Sequence, residues 1–411
     1  MKTFHITKGL DIPISGGPTG AIRAGNKVGQ VALVGDDYIG MKPTMLVKEG
    51  ERVALGQALF TDKKNEGIVF TSPGCGIVSS INRGEKRKFE SIVIRLDGDE
   101  AVDFCTPEAE LDSYSQENIR ETLIQSGLWT TLRTRPYGKN PAIASSPSSL
   151  FITASDSSPL AVAPQVIIED SADSHQFGLH ILRKMLPCPI HYCTGADELL
   201  DCEKVDGIDY YSFKGPHPSG LPSTHIHFID PVHENKTVWH IGYQDVIAIG
   251  HLFIKGQLPT EKVVSLCGAG TIQPSPVRTR IGANLAELCR RELSLEDSRM
   301  ISGSVLSGRE ADGVTCYLGR FHDQVSNIYD SSGRSIFNWL LPGLKRFSVR
   351  PVFASAYIKD LKLPMNTALW GGGRAIYPLG TYDEVMPLDI IATSLLKSIS
   401  KGDTEKSVAL G

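Results

Sequence analysis

At 411 residues the chain is too long for one hydrophobic core, so two to four domains are expected. A hydrophobic fraction of 41% and a charged fraction of 21% are those of an ordinary globular protein. The net charge of −4 argues against a nucleic-acid partner, which wants a basic face. No apolar run approaches the ~18–20 residues that span a bilayer, and Met1–Gly16 lacks a signal-peptide core, so a soluble or peripheral protein is expected, cytoplasmic if bacterial.

Residues from about Val28 to Leu96 read as short strands broken by glycines. Val47–Val53, Gly56-Gln57 with Leu59, and Ser72-Pro73-Gly74-Cys75-Gly76-Ile77-Val78 alternate apolar positions with glycine turns, the pattern of a small antiparallel unit. This stretch resembles the half-barrel of biotinyl and lipoyl carrier domains. In those domains a modified lysine sits on an exposed hairpin within a short recognition motif. The equivalent hairpin here, Asp62-Lys63-Lys64-Asn65-Glu66-Gly67, lacks that motif, so residues 1–104 are expected to serve as a scaffold or docking module.

A second domain is expected over 105–257. Ser115 caps a helix with an acidic first turn, Ile119, Leu123 and Ile124 supply its buried face, and Gly127 suits its end. The loop Ser126–Pro141 follows, where an α/β domain usually places a phosphate-holding turn. It holds Gly127 and Gly138 as its only glycines and carries Arg133, Arg135 and Lys139. Ser149–Thr153, Pro189–Cys193 and Asp209–Phe213 read as strands, and Asp173–Leu186 and Tyr243–Lys255 as helices with apolar stripes. That alternation predicts a mostly parallel, Rossmann-like sheet whose ligand crevice lies at the carboxyl ends of its strands. Ser126–Pro141, Ala154–Pro164 and Lys214–Val232 are therefore expected around one mouth. His225-Ile226-His227 reads as a strand with two imidazoles on one face, a candidate metal pair with Asp230 nearby. A proline-stiffened loop of hydrogen-bonding histidines is the plainer reading.

Val263–Leu266, Val277–Thr279, a helix capped by Asn284 and the run Met300–Gly308 place strand, strand, helix and strand within 258–312, the order of a β-grasp unit. Residues 313–411 are mixed, with a helix expected over Leu388–Ile399 carrying Leu388, Ile391, Leu395 and Ile399 on one face. Gly371-Gly372-Gly373-Arg374 is weak as a phosphate motif because no strand–turn–helix frame surrounds it. The eight cysteines (75, 105, 188, 193, 202, 267, 289 and 316) include no Cys-x-x-Cys pair and read as buried small hydrophobes.

Several segments carry a closer likeness. They are Ser126-Gly127-Leu128-Trp129-Thr130 with Arg133-Thr134-Arg135-Pro136, Gly215-Pro216-His217-Pro218 with Thr224-His225, Tyr243–Ala248, Ile301–Gly308 and Val385–Asp389. Through these, and from Lys8-Gly9-Leu10-Asp11 onward, the chain resembles the A subunits of bacterial sodium-translocating NADH:quinone reductases. The same domain order is similar to the C subunit of the Rnf complex and the flavin-binding subunit of respiratory complex I. Those relatives hold FMN with a glycine-rich run ending in Gly-Phe-Pro and carry an Asn-Ala…Glu-Cys-Glu-Pro segment. Here the corresponding stretches are Thr131–Gly138 and Thr153–Pro159, with Arg133 and Arg135 where glycines stand. The cluster cysteines of those relatives are missing, and 313–411 reads as truncated relative to the family.

The resemblance implies α/β and α+β domains: a biotinyl-carrier-like half-barrel, the Rossmann-like sheet, a β-grasp (SLBB-like) unit and a mixed C-terminal region with helices. It implies a peripheral subunit on the cytoplasmic face of the inner membrane, docking on the membrane subunits, chiefly the one carrying covalent flavin. It implies no catalytic residue, no metal and no cofactor of its own, with FAD, FMN, riboflavin and Fe–S clusters in partner subunits. A degenerate flavin site is expected around Arg133, Arg135, Gly138 and Asp156. Ubiquinone or a partner is expected to touch Trp129, Arg133, Arg135, Tyr137, Phe213, His217 and His225. The arginines read either as partners of local carboxylates or a neighbouring subunit, or as bidentate phosphate ligands in a domain that binds FMN or NADH directly.

Overall fold

The computed structural model describes residues 1–107, 110–195, 204–294, 298–331, 342–368 and 375–410. Cys202 and the Gly371–Arg374 run lie outside these.

Two small antiparallel sheets form the N-terminal unit, one ordered 30–34, 89–96, 76–83, 52–53 and the other 43–45, 58–62, 69–71. Phe60 and Phe70 stack between them at 4.6 Å, with Phe89 edge-on to Phe60 at 5.3 Å. The Asp62–Gly67 turn is exposed at its two lysines, yet it is tied down: Asn65 donates to the Asn140 carbonyl at 3.1 Å.

The chain's first strand does not belong to this unit. Lys2–His5 pairs in parallel with Ile208–Lys214, so the N-terminus completes the α/β sheet instead. That sheet runs in the order 2–5, 208–214, 190–194, 150–154, 238–242, 133–135; the first five strands are parallel and the last antiparallel. Its central strands are buried almost throughout, as in a sheet covered on both faces. The cap expected at Ser115 is present, and it forms a capping box with Asn118 at the head of α1 (Gln116–Gln125); Gly127 takes the left-handed conformation after its end. Short helix α2 (Pro164–Asp170) precedes α3 (Ala172–Met185), and the sheet is also covered by α4 (Pro222–Ile229) and α5 (Tyr243–Lys255).

Helices α3 and α5 touch through backbone. A Cβ on Gly250 would stand 1.7 Å from the Ser174 carbonyl oxygen, and one on Gly178 2.2 Å from that of Val246. The expected apolar stripes are therefore joined at a pair of glycines that only the packed helices explain.

The second large sheet runs 309–310, 298–302, 324–329, 261–267, 275–280, 23–24. Asn284 caps its helix (Leu285–Leu288) by accepting from Glu287 N, as expected. Arg23–Ala24, from the N-terminal segment, closes one edge of this sheet. Near the end of the chain the expected helix begins four residues late, at Ala392, and runs to Lys401. Ile391 and Ile399, placed on its buried face from the sequence, are exposed because no described element covers that side.

Replacing Gly250 by alanine pushes a methyl group into a carbonyl that cannot move aside. A loss of about 2–3 kcal/mol is expected, read as a lower denaturant midpoint; Gly17→Ala, whose Cβ would meet only Leu160 Cδ2 at 3.8 Å, serves as a comparison.

Candidate functional site: the mouth of the α/β sheet

The carboxyl ends of the parallel strands bring Ser155–Leu160 and Gly215–Leu221 together, as expected, and α5 starts at the same end of the sheet. The loop at 126–141 is divided. Arg133 lies opposite His240 and Arg135 opposite Val238, so this strand runs antiparallel to its neighbour. Leu128–Arg133 therefore borders the mouth, while Tyr137–Pro141 lies at the amino-terminal end of the sheet. One mouth holding the whole loop is thus corrected; the direction of a three-residue edge strand leaves no trace in its sequence.

The turn is also closed on itself. Gly138 N donates to the Thr134 carbonyl and Thr134 N to the Lys139 carbonyl, both at 2.8 Å. A phosphate cradle needs such N–H groups free and convergent. Tyr137 adopts a left-handed φ of 79° and is 74% exposed; a Cβ on the next residue, Gly138, would lie 3.3 Å from Ile39 of the N-terminal unit.

At the mouth, what fills the space is the segment Gly319–Gln324. The Arg133 guanidinium lies over the Phe321 ring, 4.1 Å from its centroid, and Tyr38 meets Phe321 edge-on. Arg320 forms a buried ion pair with Asp245 in the first turn of α5 at 2.7 Å, and its backbone N donates to Asp37 at 2.8 Å. Lys262 reaches Asp323 at 2.8 Å, and Gln244 donates to the same carboxylate at 3.1 Å. Gln324 donates to the Pro159 carbonyl, and Ser265 to that of Leu160. Six residues thus touch all three folded units. Sequence reasoning missed them within a region read only as mixed; the visible signal is the polar, charged run Arg320–Gln324 directly after a glycine.

Arg133 and Arg135 have buried Nε atoms without hydrogen-bond partners, and neither forms an ion pair with a carboxylate among the described residues. Burial pulls the Arg133 pKa down to about 10 and lowers that of Arg135. The expectation that local carboxylates pair with them is corrected: Asp245, whose charge acts on Arg133, is taken by Arg320.

The remaining candidates scatter. Trp129 is 1% exposed, with its Nε1–H on the Pro141 carbonyl at 2.9 Å and its ring edge-to-face with Trp239 at 5.5 Å. Phe213 is buried between Phe4 (4.9 Å) and His225 (4.3 Å), four strands from Arg133 across the sheet, roughly 19 Å at ~4.8 Å per strand. His217 is half-buried at the mouth, with Nδ1 3.1 Å from the Ser157 hydroxyl. A single slot built from Trp129, Tyr137, Phe213 and His217 is therefore not what the chain forms.

His225-Ile226-His227 is a correction of another kind. Its residues lie in α4 rather than in a strand, begun by Pro222 at the first helical position. His225 Nε2 is 3.0 Å from the Ser219 carbonyl, and burial depresses the ring's pKa to about 3. His227 Nε2 accepts from the Asp389 backbone N instead. The two imidazoles are engaged separately, and no three His, Cys, Asp or Glu side chains among the described residues converge as metal ligands.

The family model described as the NqrA N-terminal barrel-sandwich hybrid domain matches 4–97, that of the NqrA second alpha/beta domain 114–258, and the NqrA C-terminal (SLBB) domain 263–313. The chain belongs to the family of A subunits of Na(+)-translocating NADH-quinone reductases. It is 48% identical over 409 residues to the A subunit of Photorhabdus laumondii, 49% identical to that of Pseudomonas aeruginosa, and 47% identical over 410 residues to that of Neisseria gonorrhoeae. Each alignment covers 99% of this chain and 92% of the relative. No helix among the described residues is long and apolar enough to cross a membrane.

Asp156, expected beside a degenerate flavin site, accepts from Ser158 N at 2.8 Å, and burial raises its pKa to about 6. The native carboxyl keeps its proton to higher pH than the unfolded one, so the native state binds more protons between about pH 4 and 6 and stability falls as pH rises through that window. Asp156→Asn removes this loss. The variant should be the more stable near neutrality by up to about 3 kcal/mol, with the difference gone near pH 4, by denaturant midpoints at each pH. Depressed histidines such as His225 act in the opposite sense but cancel in the comparison.

Proposed function

We propose that this chain works as a peripheral, cofactor-free subunit of the sodium-translocating NADH:quinone reductase, on the cytoplasmic face of the inner membrane. It docks on the membrane subunits, chiefly the one carrying covalent flavin, and the flavins and iron–sulfur centres of electron transfer lie in its partners. Family membership supports the assignment to the complex. The observation that carries the cofactor-free reading is the filled mouth: Phe321 under Arg133, and Arg320 on Asp245, stand where a nucleotide would enter an α/β sheet. The residues present do not fit an FMN phosphate. The turn that would hold it spends its N–H groups internally, and its tip is at the other end of the sheet.

The alternative, FMN or NADH bound directly in the crevice, would require residues 319–324 to leave and Asp245, Asp323 and Lys262 to lose their partners. Removing one member of a buried ion pair costs about 3–5 kcal/mol, which nucleotide contacts would have to supply. The purified chain is therefore expected to show neither flavin nor iron absorbance. Flavin retained at one equivalent through gel filtration would overturn this.

Any contribution to ubiquinone binding lies with the Tyr137 edge rather than the Phe213–His225 pair. Tyr137 is exposed, whereas Phe213 and His225 are enclosed and in ring contact with each other. In the assembled complex a photoreactive quinone should label the peptide 126–141 and spare 213–228. Label found only in other subunits removes quinone contact from this chain.

A further inference from the structure

Exposed apolar side chains concentrate in one place. Leu344, Phe347, Val349, Val352, Tyr357 and Ile358 all lie within fifteen residues of chain, Val352 at 70% and Tyr357 at 79% exposure. Soluble proteins scatter such residues singly, and a concentration of them marks a surface that something else covers. The stretch 344–363 also holds Lys345, Arg346, Arg350, Lys359 and Lys362 against one carboxylate, Asp360. Arg350 pairs with Glu384 at 3.5 Å, and the stretch keeps a net positive charge within a chain whose net charge is −4.

The segment encloses an open groove of about 960 Å³, walled by Phe347, Val349, Val352, Phe353 and Met365 with Lys345 at its edge. The groove is built rather than left over. Leu363 is buried and stitched to the N-terminal segment, its N donating to the Pro13 carbonyl (2.7 Å) and its carbonyl accepting from Ser15 N (2.9 Å). Gly343, at φ 73°, lies so close to the Phe353 ring that a Cβ would come within 2.4 Å of it.

We propose that this groove receives an apolar, carboxylate-bearing segment of another subunit of the same reductase. Aromatic, aliphatic and arginine side chains together are the composition of protein interfaces, and the surplus of positive charge selects an acidic partner. The apolar exposure continues past the groove to Tyr357 and Ile358, more surface than one small ligand covers. The proposal rests on the reading of the chain as an assembled subunit, and it names the surface through which assembly occurs.

The test uses the whole complex, co-expressed and purified through a tag on another subunit. With p-benzoylphenylalanine in place of Val352, illumination should join this chain to another reductase subunit, at a peptide with apolar residues and carboxylates identified by mass spectrometry. Lys345→Glu, at the edge of the groove, should lower retention of the chain on the complex at least about tenfold while its thermal unfolding stays as in the wild type. Ile272→Asp, 65% exposed in the turn between the strands 261–267 and 275–280, should leave retention unchanged. Crosslinks to lipid or to a second copy of the chain, or Lys345→Glu retained like the wild type, overturn the groove as the docking site. A wild-type chain that is not retained at all overturns the assembled-subunit reading itself, and the groove with it.

Discussion

The ion pair between Arg320 and Asp245 is the contact on which the arrangement of the molecule turns. It places a guanidinium from the segment that leads into the 324–329 strand against the first turn of α5, where the helix N-terminus already favours the carboxylate. Burial would ordinarily discourage the charged form of Arg320; the neighbouring carboxylates of Asp245 and Asp323 outweigh it and raise its pKa. Because the pair is removed from water, its partners are not exchangeable for surface charges at low cost. Its backbone N on Asp37 ties the N-terminal unit to the same point.

This one junction explains why the α/β sheet has the outline of a nucleotide-binding domain without a free crevice. In an open sheet the carboxyl ends of the strands leave a cleft because nothing covers the point where connections diverge. Here the cleft is covered by Phe321 and Arg320, and the arginine at 133 stacks on the ring that replaced open space. A desolvated guanidinium with an unsatisfied Nε is an uncomfortable group. Stacking on an aromatic face is one of the few arrangements that relieve it without a carboxylate.

The N-terminal segment has a second part in holding the units together. Its first strand extends the α/β sheet, Arg23–Ala24 extends the other, and Pro13 and Ser15 hold the wall of the C-terminal groove. A boundary drawn at residue 104 describes where a compact half-barrel ends, but the chain begins by visiting each of the other units. Short strands of this kind carry no periodic signal: two to four residues cannot display an alternation.

Long elements are legible in the order of residues along the chain. The Tyr243–Lys255 helix, the capped helix after Ser115 and the buried strands at 150, 190 and 208 follow from apolar periodicity, a serine cap and glycine stops, all local properties of the chain. Composition likewise marks Arg133 and Arg135 as foreign to a phosphate loop. What tertiary structure alone decided was direction and company. The antiparallel run of 133–135 sent Tyr137 to the far end of the sheet, the proline at 222 turned a presumed histidine strand into a helix, and a segment nearly two hundred residues away closed the mouth. Burial and ion pairing depend on which distant groups arrive together, and local patterns hold no record of that.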